Sequence, residues 1–346
     1  MADQDTINWE AVHLSQLYVG AISADGFFKN DRLADLNEQL NDILCMFFLK
    51  PFKPHNFFTF SHELDVEYNG AFASCRKIFE DQQTMLEEAQ NFLKLLYAVS
   101  ENENIKEGEF YVAHFQEITL KEEVTQAIGI FKSEERDPFI RIYQEDDSLG
   151  VSSDEGISLN NINKGALIFD DPERKTCSVL VFDRSNKVTP AKFWIDHFLN
   201  LAPVEDEFYH TKNFMHLCKD FVLKDQQALD RADQVDLLNR SVDYFKDREQ
   251  FNQQEFEEEV LQEPETRQAF IEYQENYAEE NQVDILQPEF EISKPAFKAA
   301  KRYIRSVIKL DKNFHVYVHG KRELIERGFD ETRGQHYYKL FFDSES

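Results

Sequence analysis

The sequence predicts an α+β protein with a strand-rich antiparallel N-terminal half that also contains helices, an acidic helical segment, and a basic C-terminal helix followed by two strands. Three observations predict this order. Short β-rich runs separated by turn residues fill residues 109–183, which is typical of an antiparallel meander. Apolar residues recur at helical spacing from residue 209 to about 287. The charge then changes sign near the C-terminus.

The first hundred residues alternate between strands and helices. Leu33, Leu36 and Leu40 recur at helical spacing, and Pro51 ends the helix that they indicate. In chain order, the patterns predict a strand over Val12–Val19, a helix over Asp31–Leu49, a short strand over Phe57–Phe60, and helices over Ala71–Phe79 and Thr84–Val99.

A run of strands follows the polar loop Asn102–Gly108. Turn residues such as Asp146-Asp147-Ser148 separate the strands, and a helix over Lys192–Leu201 closes the region. The predicted strands are Glu109–Ile118, Val124–Lys132, Phe139–Gln144, Gly156–Leu159, Gly165–Phe169 and Cys177–Asp183.

The helical segment that comes next is strongly acidic. Residues 225–291 contain 20 Asp or Glu and 5 Lys or Arg. Asn252 is predicted to cap one of its helices, with Glu255 as the reciprocal residue of a capping box. Pro264 falls at a break or in a first turn. We expect the segment either to pack on the core or to pair with a second copy as a homodimer.

The C-terminal segment reverses the charge of a chain whose formal net charge is −28. Residues 294–339 hold 12 Lys or Arg against 5 Asp or Glu. A helix is predicted over Ser293–Leu310, with Ser293 as N-cap and Pro295 in the first turn. On this helix the seven cations from Lys294 to Lys312 fall in an arc about 100° wide. A neighbouring apolar arc contains Phe297, Ala300, Ile304, Val307 and Ile308. Strands over Phe314–Val318 and His336–Phe342 are expected to return to the N-terminal sheet.

The charged surface of that helix has two interpretations. A basic stripe is typical of contact with a phosphate backbone, but it would equally neutralise the acidic body of its own protein. On the first interpretation, the candidate DNA-binding residues are Lys294, Lys298, Lys301, Arg302, Arg305, Lys309, Lys312, Lys321 and Arg322. Tyrosines interleaved with these cations could stack on bases, although on strands they are more often core residues.

Composition and motifs exclude several classes of protein. The longest apolar run, Ile43–Leu49, is too short to span a bilayer. The first ten residues, Met1–Glu10, are acidic and polar, unlike a secretory signal. Four scattered cysteines indicate reduced thiols in a cytosol. No catalytic signature is evident, and no cofactor or metal is predicted. Two weaker hypotheses remain. A metal site is suggested by His315 and His319, which lie on one face of a predicted strand. A nuclease is suggested by a predicted turn that contains Asp170, Asp171, Glu173 and Lys175.

Four segments resemble those of a bacterial nucleoid-associated protein family. They are SVIKLDKNFHVYVHG at 306–320, AIGIFKSE at 127–134, NKGALIF at 163–169 and DLLNRS at 236–241. The resemblance implies association with the nucleoid and with DNA, but it transfers no catalytic residue and no DNA-contacting motif.

The expected organisation is an α+β domain at 1–190, an acidic helical segment at 191–292 and a basic segment at 293–346. The expected function is that of a cytoplasmic, nucleoid-associated, non-catalytic protein that binds the backbone of double-stranded DNA. Two alternatives remain. One is an interaction scaffold or DNA mimic whose acidic helices bind a basic protein, and the other is a nucleic-acid-processing enzyme with an unrecognised site. No membrane partner is expected.

Overall fold

The computed structural model describes residues 7–23, 25–100, 106–160, 162–171, 176–184, 193–225, 229–281, 287–304, 306–318 and 322–344. The chain forms two compact units, Met1–Val204 and Glu205–Ser346. The basic segment and residues 205–292 of the acidic segment, which the sequence separates into two parts, belong to the second unit. The predicted α+β class is confirmed.

The first unit is built on one antiparallel sheet. Its helices are α1 (Glu38–Leu49), α2 (Gly70–Glu80) and α3 (Met85–Ser100), and a π-helical turn spans Phe193–Leu199. Its strands are β1 (Ile7–Asn8), β2 (His13–Ser23), β3 (Gly26–Phe28), β4 (Phe58–Phe60), β5 (Gly108–Leu120), β6 (Glu123–Ser133), β7 (Asp137–Glu145), β8 (Ser148–Gly156), β9 (Lys164–Phe169), β10 (Ser178–Asp183) and β11 (Leu201–Pro203).

Within the described residues, nine of these strands pair in the order β11-β4-β10-β9-β6-β5-β2-β3, with β1 also on β5. Alternate residues of β5 enter two different cores, because side chains of a strand point to opposite faces. Val112 packs with Phe92 of α3 on one face, and Phe115 packs with Phe48 of α1 on the other. Helices therefore cover both faces, which explains why β5 is apolar without alternation.

Strands β7 and β8 form a separate hairpin that differs from the prediction. The second strand was expected at Gly156–Leu159, but it runs over Ser148–Gly156. Asp146, with φ of 51°, and Asp147 form the tight turn that sets this register. The strand was missed because its sequence, SLGVSSDEG, has few apolar residues and every one of its side chains is at least partly exposed.

The second unit contains the acidic helices and the C-terminal hairpins. Its helices are α4 (Glu207–Asp220), α5 (Arg231–Asp247), α6 (Gln253–Phe256), α7 (Pro264–Asn281) and α8 (Lys294–Lys301), with π-helical turns at Phe221–Asp225 and Glu257–Leu261. Its strands are β12 (Gln250–Asn252), β13 (Glu289–Glu291), β14 (Val307–Leu310), β15 (Phe314–Tyr317), β16 (Ile325–Asp330) and β17 (Gln335–Leu340).

Aromatic side chains from the acidic segment form the main core of this unit. Phe214 of α4 lies against Phe251, with ring centroids 4.2 Å apart, and Phe245 stacks on Phe251 at an interplanar angle of 10°. Phe297 and Ala300 of α8 join the same core. The acidic segment therefore contributes to a core within the second unit, and its pairing with a second copy stays a prediction.

Several predicted boundaries need correction. The helix expected over Asp31–Leu49 begins only at Glu38, after Asn37, whose side chain accepts a hydrogen bond from the Leu40 amide. Only Phe193–Leu199 of the helix over Lys192–Leu201 is helical, and Lys192 lies outside the described residues. The region expected to be helical from residue 209 to about 287 contains β12, and an additional strand, β16, lies between the two predicted C-terminal strands.

The C-terminal strands pair with one another. Strands β14 and β15 form one two-stranded sheet, and β16 and β17 form another. Both hairpins bury residues against α5, where Ala232 and Val235 contact Ile308 and Ile325. An isolated two-stranded sheet is only marginally stable. Here both hairpins are covered by a helix of the same unit, and within the described residues their strands do not join the N-terminal sheet.

Candidate nucleic-acid interface

Helix α8 begins as the sequence predicts. The Ser293 side chain accepts a hydrogen bond from the Ala296 amide at 3.4 Å, and Pro295 lies in the first turn. Phe297 and Ala300 are buried, whereas Lys298 on the outer side is exposed. The helix is therefore amphipathic, with its cations facing outward.

The predicted helix over Ser293–Leu310 is wrong beyond Lys301. Residues 302 and 303 form a turn, and the first strand of the hairpin β14–β15 begins at Val307. The β-branched residues of Val307–Ile308 and Val316–Val318 favour extended backbone. The pairing of Ile308 with Val316 lets both side chains pack towards α5, a choice that the apolar spacing alone could not reveal.

The seven cations consequently do not share one helical face. Lys294, Lys298 and Lys301 lie on α8, and Arg302 caps its C-terminal end. Lys309 lies on β14, and Lys312 lies in the hairpin turn, where Asp311 adopts φ of 53°. Arg305, the seventh of these cations, lies outside the described residues, as does the further candidate Lys321.

Two of the candidate residues have structural partners. Lys294 Nζ donates to the Arg248 carbonyl at 2.6 Å, close to the C-terminal end of α5. Arg322 Nη2 lies 3.3 Å from Asp230 Oδ2, and its Nε lies 2.5 Å from Asp233 Oδ1. Burial disfavours the Arg322 cation, but the hydrogen bond and charge of Asp233 outweigh it and raise its pKa. Arg322 is thus neutralised by the acidic segment.

The remaining cations are available to a ligand. They are exposed, and within the described parts of the chain none of their side chains meets a carboxylate; they are Lys298, Lys301, Arg302, Lys309 and Lys312. Lys301 Nζ lies 5.6 Å from the Phe297 ring centroid. Residues 293–318 carry one acidic side chain, Asp311, so this surface is strongly positive on an acidic protein.

A groove separates the end of α8 from the outer face of the hairpin. Its volume is about 460 Å³. Lys309 and His315 are direct cross-strand partners, as are Val307 and Tyr317, and all four side chains line the groove. The sequence left open whether the tyrosines near these cations stack on bases or belong to the core, and Tyr317 is 67% exposed.

Asn239 of α5 positions this hairpin. Its Nδ2 donates to the Val318 carbonyl at 3.0 Å, and its Oδ1 is hydrogen-bonded to Ser306 Oγ. Its side chain therefore ties the two ends of the hairpin to the helix. Sequence reasoning did not assign Asn239 a role; its one signal was that it lies within the resembling segment 236–241.

The two weaker chemical hypotheses gain little from the structure. His315 is exposed on β15, while His319, Glu173 and Lys175 lie outside the described residues. Asp171 is buried and accepts a hydrogen bond from Ser178 Oγ at 2.6 Å. Among the described side chains, no group of three or more His, Cys, Asp or Glu is arranged to hold a metal ion.

The fold and this surface define an acidic α+β protein with a localised cationic groove. A family model described as nucleoid-associated protein YejK matches residues 24–333. The chain therefore belongs to the nucleoid-associated protein YejK family, which confirms the resemblance noted from four segments. No curated protein matches the chain. None of the helices in the described ranges is long and apolar enough to cross a membrane.

Proposed function

We propose that this chain is a nucleoid-associated, non-catalytic protein of the cytoplasm that binds the backbone of double-stranded DNA. The observation that carries the proposal is the group of exposed cations around the groove, which lack carboxylate partners among the described residues. In a protein of net charge −28, such a group must be segregated in space to attract a polyanion. Membership of the YejK family supports the assignment to the nucleoid.

The proposal differs from the sequence-based one in its geometry. The contact is made by the end of α8 together with the hairpin β14–β15, instead of by one long helix. We retain Lys298, Lys301, Arg302, Lys309 and Lys312 as backbone contacts. Arg305 and Lys321 remain candidates from the sequence alone, whereas Lys294 and Arg322 are better explained as structural residues.

A charge-reversal variant tests the proposal. We expect K298E/R302E/K309E/K312E to lose duplex binding. The slope of log K against log salt should become shallower by about 0.9 for each phosphate contact that is lost. The matched control is K29E/R32E/K53E/K94E, which changes the net charge equally at exposed positions of the first unit. Equal losses in both variants would indicate a nonspecific charge effect, and retained binding by the first would refute the proposed surface.

A specific observation also favours a second candidate, a scaffold that binds a basic protein. Several carboxylates on the outer surface of the acidic segment are exposed and have no cationic partner among the described residues; they are Glu258, Glu263, Glu265, Glu272 and Glu275. A lysine-rich peptide is a suitable probe. Binding that is lost when these five residues become Gln, while duplex binding persists, would support this role.

The homodimer hypothesis requires a different surface from the one first considered. Phe245, Phe256 and Phe270 of the acidic segment are buried in the core of the second unit. Pairing through the outer surface of the segment would bring like charges together, which opposes association at low salt. Light scattering at several protein concentrations distinguishes one chain from two.

A further inference from the structure

The groove between α8 and the hairpin has features that a duplex backbone does not need. Ile304 and Val307 line it and are 9% and 6% exposed. Tyr317 stands beside them with two-thirds of its surface exposed. Lys301 and Lys309 also line the groove, so cations surround an apolar and aromatic interior.

Backbone contact alone leaves this interior unexplained. In a B-form duplex the bases are stacked on one another, and the outer surface offers phosphates and base edges. Lysine and arginine suffice for the phosphates. An exposed tyrosine ring above buried aliphatic side chains fits the flat face of a base, which is accessible only where the strand is unpaired.

The dimensions and the arrangement of charge agree with such a ligand. The volume of about 460 Å³ falls within the range of about 300–1,000 Å³ that is typical of small-molecule sites. Because Lys309 and His315 are cross-strand partners next to the pair formed by Val307 and Tyr317, a base on the Tyr317 ring would have its flanking phosphates close to these two side chains.

We propose that this groove binds a base of an unpaired DNA strand, with the Tyr317 ring stacking on the base and Lys301, Lys309 and His315 contacting adjacent phosphates. The inference rests on the proposed DNA-binding function and adds a preference for duplexes that contain gaps or melted segments. Because every base has a π-face, the preference is for strand state and not for sequence.

Fluorescence anisotropy with the full chain tests the proposal on three probes: a thymidine oligonucleotide, an intact duplex of equal length, and the same duplex with a central gap. We expect Tyr317→Ala to weaken binding of the single strand and the gapped duplex by about 5- to 150-fold, which corresponds to the loss of one stacked base. Binding of the intact duplex should be unchanged, and Tyr317→Phe should retain wild-type affinities.

Phe314→Ala is the matched control. Phe314 lies on the same strand and is 64% exposed, but it pairs with Leu310 on the opposite face and does not line the groove. Equal effects of the two alanine variants, or an equal loss on all three probes, would overturn the proposal. Photocrosslinking of a bromouracil oligonucleotide gives a second readout: a crosslink on the peptide that contains Tyr317 supports the proposal, and its absence there refutes it.

The results for the two functions are separable. If the charge-reversal variant loses duplex binding while Tyr317→Ala behaves as wild type on every probe, the backbone contact stands and the base-binding groove does not. If the charge-reversal variant keeps duplex binding and Tyr317→Ala still loses the single strand, the proposed backbone contact fails and the groove is retained.

Discussion

Arg322 Nε donates a hydrogen bond to Asp233 Oδ1 at 2.5 Å, so that a cation from the basic segment is paired with a carboxylate of the acidic segment. A second carboxylate, Asp230, lies 3.3 Å from Arg322 Nη2. Self-neutralisation and ligand binding are therefore not exclusive alternatives for the basic segment, because Arg322 serves the first, whereas Lys309 is exposed and meets no carboxylate among the described residues.

The first prediction separates these two roles by substitution. Arg322→Ala removes hydrogen bonds to charged groups that are only partly exposed, and we expect it to lower the unfolding free energy by about 1–2 kcal/mol. The salt dependence of duplex binding should not change. Lys309→Ala is the reciprocal control, with a shallower salt slope and unchanged stability. Denaturant unfolding and a salt titration together check both variants. The assignment would be contradicted if Arg322→Ala changed the salt dependence of binding and Lys309→Ala changed the stability.

The second prediction concerns the junction between α8 and β14. Ile304 is buried in the main core of the second unit and also lines the groove. Ile304→Ala should lower the unfolding free energy by about 2–5 kcal/mol, because it removes buried methyl groups and leaves a cavity. Lys298→Ala, at an exposed site on the same segment, should have almost no effect. A cost below about 0.5 kcal/mol for Ile304→Ala would show that the junction is not docked.

The third prediction tests close backbone approach at the start of β5. Gly108 adopts φ of 157°, and a Cβ atom there would lie 1.9 Å from the Ser133 carbonyl oxygen of the adjacent strand. We expect Gly108→Ala to destabilise the first unit by more than about 1 kcal/mol. Gly26→Ala is the control, since Gly26 has φ of 149° but no atom within 4 Å of the added Cβ. Thermal unfolding of both variants distinguishes steric clash from backbone strain.

The fourth prediction is a pH dependence that arises at Glu88 of α3. Burial disfavours its carboxylate, but hydrogen bonds from Lys77 at 2.7 Å, Ser74 at 2.6 Å and Asn91 at 3.1 Å outweigh this and hold its pKa below the ordinary value of 4.5. A lowered pKa contributes stability above the ordinary value, and this contribution is lost as the pH falls through the folded-state value.

We therefore expect wild type to be more stable than Glu88→Gln at neutral pH, and the difference to shrink below pH 4.5. Denaturant unfolding across this range measures the difference directly. Glu87→Gln is the control, because Glu87 neighbours Glu88 on α3 but is exposed. A constant gap between wild type and Glu88→Gln would contradict a role for the ionised carboxylate.

Much of the fold follows from local patterns that the tertiary structure reinforces. Helices α2 and α3 begin and end close to the predicted residues. The Asn252 side chain accepts a hydrogen bond from the Glu255 backbone amide at 3.0 Å, as predicted for an N-cap. The backbone N–H of Asn252, which a capping box would pair with the Glu255 side chain, donates to the Tyr244 hydroxyl. Pro264 begins α7. These features depend on neighbouring residues, so the sequence carries them directly.

The sequence predicted the residues of the candidate site but not the geometry in which they are arranged. A helical projection brought together Ile304, Val307 and Ile308, and all three are indeed buried. The same residues are equally compatible with a turn followed by a strand, because a short apolar run does not distinguish the two periods. Three tertiary interactions favour the hairpin: the pairing of β14 with β15, the packing of both strands against α5, and the hydrogen bonds made by Asn239.

The sequence by itself determined the α+β class, the YejK-family resemblance, the helix caps and the segregation of cations near the C-terminus. All of these are written in composition or in residues close together along the chain. Only the tertiary structure decided which of the described cations have partners within the chain, since Arg322 meets Asp233 from 89 residues away and Lys294 meets the end of α5. The groove likewise depends on packing, because its lining combines Lys301 of α8 with side chains from both strands of the hairpin β14–β15.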